Sequence, residues 1–121
     1  METSLEEFEE LVADALDGLP DHLGKLMDNV AVMVQDWPSA EQLEGFHGTL
    51  LGLYQGVALT NRTPLNYMGA MPDRIFIFRG PICERSPDAD ALVAMVRRVV
   101  IHEVGHHFGI SDARLHELGW A

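Results

Sequence analysis

Apolar residues recur at helical intervals near both ends of the chain and at strand intervals between them. Leu5, Phe8, Leu11, Val12, Ala15, Leu16 and Leu19 repeat every three or four positions behind Ser4, and Glu7 stands three residues after that serine, the spacing of a capping box. This predicts an amphipathic helix over 4–17, ended by Gly18 and Pro20, with one more turn or two in 21–27. Val30, Val32 and Val34 then alternate with Ala31 and Met33, so both faces are apolar and a strand over 29–35 covered on both sides is expected. Asp36-Trp37-Pro38-Ser39 breaks it, and 39–48 reads as a short helix or an irregular loop. Residues 50–59 place Gly52 and Gly56 among apolar and aromatic side chains, which suits a strand with a bulge or a close backbone approach. The polar stretch 60–73 reads as a surface loop bordering a cleft, with Tyr67, and Tyr54 before it, as wall residues. Arg74 to Arg79 is the clearest strand: Ile75 and Ile77 face one way, Phe76 and Phe78 the other, and Gly80-Pro81 closes it.

From Ser86 the period changes to that of a long helix. Ser86 as N-cap, Pro87 in the first turn and Asp88 and Asp90 at the positive dipole end predict a start, and the helix runs over about 87–108. Leu92, Met95 and Val99 share one face with His102 and His106; Val93, Val96, Val100 and Val104 extend the buried arc beside Glu103, and Arg97 and Arg98 mark the solvent side. Gly105, inside the helix, implies that another element packs close. A last short helix over 112–120 would return Leu115, Leu118 and Trp120 to the core. The fold class expected is α+β, a small mixed β-sheet packed by the long helix.

The chemistry lies where that helix exchanges apolar residues for ligands. Residues four apart differ by about 40° around a helix axis and about 6 Å along it, so His102 and His106 project one above the other and can share one ion. Glu103 is offset by about 100°, outside that pair but near enough for its carboxylate to reach a water beside the metal, the position of a general base. Gly109 can stop the helix with positive φ and turn the chain back. That brings Asp112 toward the metal as a third ligand and leaves a fourth position open, as a catalytic zinc site requires. The run from His102 to Asp112 fits HExxHxxGxxD. Two imidazoles on an apolar arc would each need hydrogen-bond partners, and one ion satisfies both. Asp112 has competitors: Ser111 or Asp112 could cap the last helix, and His116 is the substitute ligand. His107 is read as a core or supporting residue, and His22 and His47 as surface residues.

Composition narrows the function without choosing it. The chain has 121 residues, the length of one domain over 1–121, with no run apolar enough to span a membrane. Its acidic, amphipathic start lacks the marks of a signal peptide, and the single cysteine, Cys83, has no partner for a disulfide or a CxxC metal site. A soluble cytoplasmic protein is expected. A net charge of -11 argues against nucleic acid and anionic membranes as partners, which need clustered Lys and Arg.

The extended run resembles the zinc motif of zincin metallopeptidases, at metzincin spacing with Asp in place of the third His. The stretches Asp73-Arg-Ile-Phe-Ile-Phe-Arg-Gly-Pro-Ile82 and Val100 to Trp120 resemble a small bacterial family of minimal zincin-like metallopeptidases. The resemblance implies a zincin-like domain with Zn2+ held by His102, His106 and Asp112, Glu103 as catalytic base, and a peptide or protein as substrate. It also implies that an edge strand beside the active-site helix, 74–79 or its neighbour, pairs with the substrate. The nine residues after Asp112 include no methionine, so the metzincin methionine turn is not expected. The other readings are a non-catalytic, zinc-stabilised interaction domain and a zinc hydrolase acting on amides that are not peptides.

Overall fold

The computed structural model describes residues 1–19, 30–46, 48–56 and 73–117, with Asp112, Leu115 and His116 described by their backbone alone. In chain order these residues form α1 (Leu5–Asp17), β1 (Val30–Gln35), β2 (Gly52–Gln55), β3 (Asp73–Phe78), α2 (Arg79–Glu84), α3 (Ala89–His107) and α4 (Asp112–Glu117). Among the described residues the sheet has three strands in the order β1-β3-β2. β1 lies parallel and β2 antiparallel to β3, so the sheet is mixed and the fold is α+β, as the sequence predicts.

Register decides what the sheet offers to the helices. Paired residues share a face, so Val30, Val32 and Val34 of β1 lie with Asp73, Ile75 and Ile77 of β3 and with Gly52 and Tyr54 of β2. This face meets Phe8, Val12 and Ala15 of α1 and Leu92, Val96, Val99, Val100 and Val104 of α3 in one apolar core. A slip of one residue would turn that whole set outward. β3 is buried on both faces, with Phe76 and Phe78 stacked on the side away from the helices. β1 is not: Ala31 and Met33 are exposed, so its apolar alternation is covered on one side only, unlike the sequence expectation. An edge strand of the described sheet tolerates that exposure, because solitary surface hydrophobics are ordinary.

The ends of the helices follow local chemistry, with two departures from the sequence reading. Ser4 caps α1, its Oγ accepting from the Glu7 amide at 3.1 Å; Glu7 instead accepts from Thr3 Oγ1 at 2.8 Å rather than closing the capping box. The cap of α3 is Asp88, whose side chain accepts from the Ala91 amide, and not Ser86. Ser86 is buried and donates to the Ile82 carbonyl at 2.8 Å, serving α2. α2 itself was not expected, because Gly80-Pro81 reads as a stop; here Pro81 lies in the first turn, where its missing N–H costs nothing. Residues 39–46 form successive turns rather than a helix. The expectations for 21–27, His47, 57–72 including Tyr67, and 118–121 fall outside the described residues, as do the Leu115 and His116 side chains. Among the described residues no helix is long and apolar enough to cross a membrane.

Candidate metal centre and active site

The last two turns of α3 present His102, Glu103 and His106 together. One ligand atom from each lies within 4.8 Å of the other two, and the two imidazoles are 4.6 Å apart between ring centroids. Glu103 Oε1 is 3.0 Å from His106 Nδ1. Glu103 is buried whereas the His106 side chain is 40% exposed, so the cluster has a sealed base and an open mouth. Two imidazoles and a carboxylate are the donor types that suit zinc, and their closeness fits a single ion. Helical spacing alone sets Glu103 outside the ligand pair; in the structure its carboxylate comes nearer to the imidazoles than spacing requires.

His102 and Glu103 line a groove of about 410 Å³ between α3 and the chain leading into β2. Gly52 makes this approach close. A Cβ there would meet Val99 Cγ1 at 2.8 Å and Glu103 Oε2 at 3.2 Å, so a methyl group would push the acid or the strand aside. The strand that flanks the groove is thus β2, an edge strand of the described sheet, and not β3, which is central. A larger cavity, about 770 Å³, lies between the N-terminal residues and α2. It is lined by Glu2, Glu7 and Glu84 but by no histidine, and its Arg79 is already paired with Asp36, so size alone misplaces the chemistry.

On the other side of α3, His107 is fully buried with Nδ1 2.6 Å from Asp73 Oδ2. Tyr54 donates its hydroxyl to the same oxygen at 2.8 Å, and Nε2 of His107 is buried without a hydrogen-bond partner among the described residues. The register explains the meeting: Asp73 and Tyr54 are diagonal neighbours on the helix-facing side of the sheet. Gly56, at φ 156°, leaves room for Asp73, whose Oδ1 a Cβ there would meet at 2.4 Å. This trio fastens the end of α3 to β2 and β3. His107 is therefore the core residue expected; Asp73 escaped the sequence reading, although its parity with Ile75 and Ile77 signalled an inward position.

Past His107 the chain turns as predicted. Gly109 has φ 71°, its amide bonds the His106 carbonyl at 3.0 Å, and the Ile110 amide bonds the Gly105 carbonyl at 2.8 Å, a complete Schellman turn. Ser111 Oγ accepts from the Arg114 amide at 3.2 Å and so caps α4. Of the two capping alternatives the serine holds the role, and Asp112 opens α4 in its first position.

A family model described as zincin-like metallopeptidase matches residues 27–120. The chain belongs to that family. Membership implies a metal, typically zinc, and peptide hydrolysis as the general chemistry. Among solved structures the zincin-like chain is similar to a conserved hypothetical protein from Thermus thermophilus, with 21% identity, a TM-score of 0.56, and 96% of this chain and 97% of that one covered. That likeness supports the fold alone. No curated protein matches.

Proposed function

We propose that this zincin-like protein is a zinc-dependent metallopeptidase in which His102, His106 and Asp112 hold the ion and Glu103 is the general base. The observation that carries the reading is the cluster of three donors within 4.8 Å, half open to a groove flanked by an edge strand. Zinc, when held there, polarises a carbonyl oxygen and acidifies a water. Glu103 takes the proton of the attacking water and passes it to the leaving amine, and its burial beside His106 fixes the carboxylate for both transfers. The main chain of β2 receives the substrate as an added strand, an interaction through backbone bonds that does not depend on sequence. Gly52 keeps the strand close enough to α3 for the bound peptide to reach Glu103.

A second reading is supported by the nearness of Glu103 to both imidazoles. With Glu103 as a ligand the site would be closed, and the protein a zinc-stabilised interaction domain without turnover. Metal analysis with a peptide-library cleavage assay, wild type against Glu103→Gln, separates the two. Retained zinc with lost cleavage supports the peptidase; lost zinc with no cleavage by the wild type supports the closed site.

A further inference from the structure

The groove beside the cluster runs against the charge of the chain. The protein has 8 Lys and Arg against 19 Asp and Glu, yet the groove is lined by Arg85 and Arg98 and by one acid, Glu103, which already contacts His106. Both arginines are exposed, and among the described residues neither forms an ion pair, whereas Arg79 and Arg114 are held by Asp36 and Glu117. Arg97 is likewise exposed and unpaired among the described residues but does not line the groove. Arg85 and Arg98 do, and two unpaired guanidinium groups on one groove leave a positive pocket available to a carboxylate from outside.

Geometry sets where that carboxylate would lie. Met95, Val99 and His102 follow one another along the groove side of α3, giving an apolar floor that leads away from the cluster toward Arg98. Arg98 stands four residues before His102, about 6 Å along the axis, and an extended peptide advances about 3.3 Å per residue. A side chain roughly two residues from the bond at the cluster would therefore meet Arg98, and Arg85, which follows α2, lines the same groove.

We infer that the groove selects peptides carrying a single carboxylate about two residues from the cleaved bond, clamped by Arg85 and Arg98. This selectivity rests on the peptidase reading. A polyanionic substrate is disfavoured, since the remainder of the surface repels it. The carboxylate can be an Asp or Glu side chain or the free C-terminus of the peptide, and the guanidinium fork accepts either.

The test uses zinc-loaded full-length protein and a set of peptides with Glu, Gln or Lys at that position, each with a free or an amidated C-terminus. Wild type should cleave the carboxylate-bearing peptides about fivefold to tenfold better in kcat/KM than their neutral counterparts. If the side chain is the ligand, Glu over Gln carries the preference; if the C-terminus is, acid over amide carries it. The charge-reversed variant R85E/R98E, altered only at exposed positions, should reverse the preference in favour of Lys. Equal handling of all peptides by wild type, or an unchanged preference in the double variant, overturns the inference. Failure to cleave any peptide would sink the peptidase reading alone; the same ratios, read as Kd by fluorescence anisotropy of labelled peptides, then decide the groove.

Discussion

His106 and His107 are neighbours in sequence with opposite surroundings. His106 is 40% exposed and touches Glu103, which lines the groove; the His107 side chain is 1% exposed and touches Asp73. Among the described residues each histidine touches one acid, yet Glu103 of the open pair lines a groove that a ligand can enter, whereas the sealed pair is spent on packing the helix against the sheet. A turn of about 100° around α3 is all that separates the two. A histidine–carboxylate contact therefore does not by itself mark a reactive site. What marks it is an open side and a second donor, here His102, within reach.

If the open side is the chemical one, its largest signature is in turnover. Glu103→Gln should keep zinc while kcat falls by about 10²- to 10⁴-fold, with little change in KM, because the base acts on water and not on ground-state binding. Steady-state kinetics and elemental analysis of one sample check both halves. The sealed side should answer in stability instead. Asp73→Ala removes the partner of a buried histidine and should cost about 3–5 kcal/mol in denaturant unfolding, whereas His106→Ala in metal-free protein should stay within about 1 kcal/mol. Similar losses for both would erase the distinction between the two sides. On the metal itself, Asp112→Ala should weaken zinc by more than the about 10- to 100-fold typical of outer-sphere partners, and Asp112→His should retain it, as chelator competition would read. Unaltered affinity in Asp112→Ala would return the third position to His116 or Glu103.

Smaller effects are expected at the margins of the two sides. Tyr54→Phe deletes one donor to Asp73 and should cost about 1 kcal/mol, less than Asp73→Ala because the His107 contact persists. Far from both sides, the Arg79 guanidinium bonded to Asp36 holds that carboxyl below its ordinary range. A carboxyl depressed in the fold adds stability above the ordinary carboxylate pKa, and the contribution fades as pH falls through the depressed value. Titration followed by NMR should find Asp36 low in wild type and ordinary in Arg79→Gln.

The open side was legible in the sequence and the sealed side was half so. HExxH spacing is a local helical relation, and Gly109 a local conformational need, so neither depends on what the rest of the chain does. Asp73 meets His107 only through the register of three strands, and register is settled by long-range pairing. The same reason hid Arg98: a wheel shows that it points away from the core, but only the placement of β2 turns that solvent face into a groove wall. At Gly80-Pro81 a local rule misled, since proline ends a helix interior but suits a first turn.

The Schellman turn at Gly109 has a further consequence, in the motions of the site. The end of a helix ordinarily frays, with its last carbonyls open to water and its last turn exchanging amide hydrogens freely. Here the carbonyls of Gly105 and His106 are held by the amides of Ile110 and Gly109, so one of the two bonds secures a histidine of the cluster directly. Fixing a residue's backbone costs about 1–2 kcal/mol of conformational entropy, and in this helix the loss belongs to folding and not to the arrival of an ion. The backbone that carries the histidines waits in place, so an arriving ion need not order the end of the helix.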